Sequence, residues 1–133
     1  MDKKENVALA NQRLERAKDD LRMANILYNS NELLGANNRA YYSIFHSMRA
    51  VLALERVDFK RHKDVQSYFN KNNVRTEIFP RSMGHKIVIA SRLREDSDYD
   101  DNFVKNDEET KNQIKTAQEL IELVEEYLNS KEK

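Results

Sequence analysis

The chain has 133 residues, 23 Lys/Arg against 23 Asp/Glu, and no cysteine. That length builds one core and not two. The missing cysteines exclude a disulfide framework and a thiolate metal site, and zero net charge excludes a strong general field for nucleic acid.

Two glycines, one proline and 35% charged residues, in long segments rich in Glu, Lys, Leu and Ala, indicate an all-α fold with one domain over residues 1–133. In the first segment Val7, Ala10, Leu14, Ala17, Leu21, Ala24 and Tyr28 alternate at spacings of three and four, which draws one apolar stripe on a helix. Asn29, Ser30 and Asn31 favour caps and turns and end it. A second helix is predicted over about residues 33–55. The opening MDKKENVALANQRLE lacks a signal-type apolar stretch, and no window approaches the ~18 apolar residues of a membrane span, so a cytoplasmic protein with no membrane partner is expected.

Residues 56–94 carry ten Lys/Arg and three Asp/Glu, whereas residues 95–133 carry five and thirteen, so the neutral total hides a basic middle and an acidic end. Within the basic part, Val65, Tyr68 and Phe69 predict a short helix near Lys63–Asn72. Pro80 suits the start of the next helix, traced by Met83, Ile87, Ala90 and Arg94 to about Asp96. Asn106 with Glu109 three positions later makes a capping box for the last helix, whose stripe is Ile114, Ala117, Ile121, Val124 and Leu128.

The second helix holds the chemistry. In NNRAYYSIFHSMRAVLALE, Arg39 and His46 stand seven positions apart and so share a face with Tyr42, Ser43, Ala50 and Ala53. Tyr41, Ile44, Phe45, Met48, Val51 and Leu52 form the opposite, core-facing set. The small residues beside the pair predict close approach of another backbone or ligand. Helical side chains lean toward the N-terminus, so Arg39 points away from His46. An antiparallel crossing of two copies near Tyr42 and Ser43 would join Arg39 of one with His46 of the other, which predicts a homodimer.

An arginine fork suits phosphate oxygens, and an imidazole near pH 7 takes or gives a proton. RNA carries its own nucleophile, so His46 could act on the 2′-hydroxyl or the 5′-leaving oxygen while Arg39 stabilises the phosphorane, with no metal or cofactor required. The competing reading pairs Arg39 with a carboxylate such as Asp98. Tyr42 offers a hydroxyl to phosphate or a ring to a base, although packing is its commoner use. Lys60, Arg61, His62 and Lys63 make a basic patch able to guide RNA. His62 and His85 lack the i, i+4 partner of a zinc site. Asp96, Asp98, Asp100, Phe103 and Asp107 follow calcium-loop spacing, but Asp101 replaces the turn glycine and Asp107 the longer glutamate, so a solvated acidic turn is the preferred reading.

The strings N-R-A-Y-Y-x-x-F-H at Asn38–His46 and R-x-x-x-D-Y-D at Arg94–Asp100 resemble the HEPN family, and the resemblance covers about residues 8–128. It implies an up-and-down bundle of four or five helices, usually a homodimer, often encoded beside a small nucleotidyltransferase in toxin-antitoxin or defence systems. It also implies, for many members, a metal-independent ribonuclease whose motif is an arginine, four to six residues, and a histidine. Arg39 and His46 have six between them. Ala40 departs from the polar residue that active members often carry there, and Met48 from the tyrosine of one nucleotidyltransferase-partnered branch. The resulting expectation is Arg39 and His46 as catalytic residues, with Asn38, Tyr42, Ser43, Lys60, Arg61, His62, Arg94 and Asp98 as binding residues. The alternative is a non-enzymatic module for a nucleotide or a nucleotidyltransferase partner.

Overall fold

A computed structural model of the chain describes residues 2–100 and 103–132. It contains α1 (Lys3–Asn29), α2 (Leu33–Leu54), α3 (His62–Phe69), a π-helical turn (Asn70–Val74), α4 (Arg81–Tyr99) and α5 (Asp107–Glu132), with no strand among the described residues. This is the all-α bundle expected.

Local signals set the helix ends. Asp2 accepts from the Glu5 amide and starts α1; Ser30 and Asn31, the latter at φ 61°, turn the chain into α2. Pro80 precedes α4, and the Asn106 side chain accepts from the Glu109 amide to start α5. Two ends run further than the periodicity predicts. The short third helix continues into the π turn through Val74, and α4 reaches Tyr99. The extension of α4 also decides the calcium spacing, because Asp96 and Asp98 lie in helix and not in a loop; Asp101 lies outside the described residues.

α2 is the central element. Its apolar set Tyr41, Ile44, Phe45, Met48, Val51 and Leu52 is buried as predicted, against a core completed by Leu120, Ile121, Val124 and Phe69. The small-residue side, however, does not wait for a second copy. Ala36, Ala40, Ser43 and Ala50 are wholly buried beside α1, whose Ala10, Ala17 and Ala24 are buried too, and the Ser43 hydroxyl donates to the Ala17 carbonyl at 2.8 Å. Small residues on both helices let their backbones approach, so α1 takes the place that the sequence reading gave to a twin subunit. Fourteen positions of α2 are buried, four of them polar (Asn37, Ser43, His46 and Ser47), so the helix is enclosed on most of its circumference.

Gly84 marks a second tight contact. A Cβ there would lie 2.7 Å from Val74 Cγ1 and 3.3 Å from Asn70 Oδ1, so α4 rests directly on the π turn. Alanine normally gains ~1 kcal/mol over glycine in a helix interior, while overpacking costs ~1–3 kcal/mol. Gly84→Ala is therefore expected to destabilise the chain by about 1 kcal/mol in urea unfolding. In the Gly84→Ala background Val74→Ala should cost less than it does alone, because it removes the clash.

Candidate functional site

Arg39 and His46 meet in one subunit through a residue the sequence reading did not select. Asp20 of α1 is buried between them: its Oδ1 accepts from Arg39 Nη1 at 3.1 Å, and its Oδ2 lies 3.9 Å from His46 Nε2. The Arg39 side chain is 38% exposed, whereas those of His46 and Asp20 are each 7% exposed. His46 thus faces the α1 packing surface, where the sequence reading gave it a crevice shared with a second copy. The competing reading, a carboxylate partner for Arg39, holds with Asp20 in the place of Asp98, which binds Arg94 at 3.2 Å.

The seam sets the electrostatics. Burial pulls the His46 pKa down to about 4, helped by the cations Arg16 and Arg49, then His62 and Arg13. The imidazole is thus neutral at pH 7, and its contact with Asp20 is not an ion pair. Burial also raises the Asp20 carboxyl against the opposing pull of Arg39 and Arg16. Asp20 Oδ2 and His46 Nδ1 are both buried, and neither has a hydrogen-bond partner among the described residues.

Tyr42 covers this centre. Its ring stacks on His46 at 6.3 Å between centroids, carries the Arg39 guanidinium 5.2 Å above it, and its hydroxyl accepts from Arg94 Nη2 at 3.5 Å. Arg94 also lies 5.2 Å over the Tyr41 ring. His62, expected in the basic patch, turns inward: it stacks on Phe45 at 3.9 Å and its Nδ1 meets the Tyr41 hydroxyl at 3.1 Å. Burial pushes the Tyr41 hydroxyl up to about 12, so it stays protonated at pH 7, and the His62 tautomer sets which of the two donates.

Of the other predicted residues, Asn38 is half-buried with an unpartnered Oδ1, while Ser43 is a packing residue held by Ala17. Lys60 and Arg61 stay exposed; Arg61 is held by Asp64 at 2.9 Å, and Lys60 edges a shallow recess with Phe45, Arg49, Asp58, Phe59 and His62. The cations around His46 come mainly from other elements. Arg13 donates to the Arg49 carbonyl at 3.0 Å, and both arginines hold Asp58 at 3.2–3.3 Å. The signal for the missed residues was the border of the first apolar stripe, where Arg13, Arg16 and Asp20 recur at helical spacing beside Leu14, Ala17 and Leu21. Among the described residues no group of three His, Asp or Glu is placed to hold a metal.

A family model for the HEPN domain matches residues 10–127. The chain belongs to the HEPN family. It is similar to a UPF0332 protein of Thermotoga maritima, 26% identical over 85% of this chain and 86% of the relative. Two proteins of Methanocaldococcus jannaschii are also similar. "Putative toxin MJ0142" is 28% identical over 89% of this chain and 80% of its own length, and "Putative toxin MJ0605" is 33% identical over 65% and 64%. In this HEPN domain the matched span contains Asp20, Arg39, Tyr42, His46, His62 and Arg94, so the whole constellation lies within the family's own boundaries.

The neutral, buried His46 ties stability to pH. The unfolded imidazole takes a proton near pH 6.5, and the folded one refuses it until about pH 4. Its contribution is therefore complete above pH 6.5 and is lost as pH falls through that window, by roughly 1–3 kcal/mol. Asp20, raised in the fold, acts in the opposite sense, so the comparison must be made between variants. Urea unfolding of His46→Gln is expected to show a shallower loss between pH 6.5 and 4 than the parent chain.

Proposed function

We propose that this HEPN domain is a toxin-type endoribonuclease that cleaves RNA without a metal, using Arg39 and His46. The meeting of these two side chains at Asp20 carries the reading, and the relatives named as toxins support it. The neutral imidazole has a free nitrogen lone pair and accepts the 2′-hydroxyl proton; the oxygen so released attacks the adjacent phosphorus. Arg39 leaves Asp20 to hold the phosphorane oxygens, since a guanidinium serves a phosphate as well as a carboxylate. The imidazolium so formed gives that proton to the departing 5′-oxygen as its bond to phosphorus breaks, which restores the neutral imidazole and leaves a 2′,3′-cyclic phosphate. Because the Tyr42 ring lies against the imidazole and carries the Arg39 guanidinium on its own face, opening of the Arg39–Asp20 pair would expose the centre and leave the Tyr42 ring to stack on a base.

The 5% exposure of His46 favours a second reading, in which it is a packed core histidine and Arg39, Tyr42 and Arg94 bind a nucleotide or a nucleotidyltransferase partner. One experiment separates the two. Purified chain is incubated with structured and single-stranded RNA in excess EDTA, beside Arg39→Ala and His46→Asn, with melting curves confirming that each variant folds. Cyclic-phosphate ends from the parent chain, falling at least about a hundredfold in either variant, are expected. Intact RNA, or cleavage that survives both substitutions, removes the enzyme. With a base of pKa about 4, cleavage should also stay level from pH 8 down to about 5, rather than fall near 6.5.

A further inference from the structure

Three helix ends meet around a recess of about 400 Å³ at the foot of the bundle. Lys3, Asn6 and Val7 share one face of the first turns of α1 and form one wall. Leu54 and Arg56 at the end of α2 form the second, and Tyr127 and Lys131, one turn apart near the end of α5, form the third. None of these residues belongs to the Arg39–His46 centre.

The charge of the recess is unbalanced. Among the described residues Lys3, Arg56 and Lys131 form no ion pair. Glu55, the one carboxylate in the lining, accepts from Asn73 Nδ2 at 2.6 Å and lies beside the hydroxyls of Tyr68 and Tyr127, so its hydrogen bonds go to those groups and not to the cations. Helix dipoles account for Arg56 and Lys131, which stand at the carbonyl ends of α2 and α5, but not for Lys3, which stands at the positive end of α1. Two further features point to a ligand. Asn6 is 3% exposed and lines the recess, yet its side-chain amide has no hydrogen-bond partner among the described residues, whereas buried amides are normally paired. Arg56 holds φ 61° just past the end of α2, with its amide on the Ala53 carbonyl and the Val57 amide on the Leu52 carbonyl. Glycine fills that left-handed position without penalty, so an arginine there keeps its side chain at the recess against the backbone preference.

We propose that this recess binds a small organic phosphate monoester. Three cations less one carboxylate leave an excess that a dianion matches. The Arg56 fork and the ammonium groups of Lys3 and Lys131 take the phosphate oxygens, and the Asn6 amide donates to the same group. The organic body rests on Val7, Leu54 and the ring of Tyr127, over which the Lys131 ammonium lies at 5.4 Å, so the apolar wall and the charge adjoin. The volume falls within the ~300–1,000 Å³ of small-ligand sites. The site does not depend on RNA cleavage.

Isothermal titration of the full chain with phenyl phosphate tests the site at about pH 8, where the ester is a dianion, with inorganic phosphate and benzyl alcohol as probes that each keep half of the match. Phenyl phosphate is expected to bind with a Kd below about 1 mM, and each half-probe at least about tenfold more weakly. Asn6→Leu and Lys131→Ala should each weaken the binding of phenyl phosphate severalfold, and Arg75→Ala, at an exposed arginine outside the recess, should leave it unchanged. Arg56→Gly separates binding from folding: affinity is expected to fall by about tenfold or more while the urea midpoint rises, since glycine relieves the left-handed position. No binding of phenyl phosphate at ~10 mM, a half-probe that binds as tightly, a loss in Arg75→Ala equal to that in Arg56→Gly, or an affinity that Asn6→Leu and Arg56→Gly both leave intact would each overturn the proposal.

Discussion

The contact between α1 and α2 governs this molecule. Alanines at positions 10, 17 and 24 of α1 meet Ala36, Ala40, Ser43 and Ala50 of α2, and small side chains on both partners bring the two backbones together. Whatever else lies on those faces is carried into the seam with them. Asp20 and His46 are there for that reason: each flanks a small residue that must be buried for the helices to close. A larger residue at Ala17 or Ser43 would part the helices, and the hydrogen bond from Ser43 to the Ala17 carbonyl fixes their register.

Packing alone does not explain the polar residues so enclosed. Taking a carboxylate out of water is costly, and a partly exposed arginine restores only part of that loss; an apolar pair of the same volume would hold the helices at least as well. Asp20, with its raised pKa, and His46, with its lowered one, are each held in an environment that opposes the charged form. Residues kept in that condition beside an aromatic lid and two further arginines are the kind of arrangement that chemistry requires and stability does not. Tyr41 and Phe45, both buried, and the half-buried His62 give the lid a floor, since each ring is in contact with the next.

The helices were legible because their stripes and caps are local. Alternation at three and four residues locates α1 and α5, and Asn106 with Glu109 fixes the start of α5. The π turn was not legible: a wider hydrogen-bond pattern leaves no periodic mark over five residues, and only the close approach of Gly84 reveals what it supports. On α2 the composition of each face was read correctly and its neighbour was not. Alanines and serines announce a close contact without saying whether the visitor belongs to the same chain. Arg39 and His46 were found through spacing on one helix, while Asp20 came from a different helix nineteen positions earlier than Arg39, where sequence order carries no sign of proximity. His62 likewise sits in a run of basic residues and yet turns inward, because Phe45 offers its ring a face.

α4 ties the aromatic cover of His46 to the rest of the bundle. Arg94 points inward to Tyr41 and Tyr42 and is held by Asp98 four residues on. The inner anchorage of α4 is narrow, resting on Met83, Gly84, Ile87, Ala90 and Leu93, and Gly84 leaves no slack against the π turn. The Arg94 guanidinium holds the hydroxyl of the ring that covers His46, so a small rotation of α4 would tighten or release that cover. The exposure of the Arg39–Asp20–His46 centre is thus set by α4 as well as by the seam between α1 and α2.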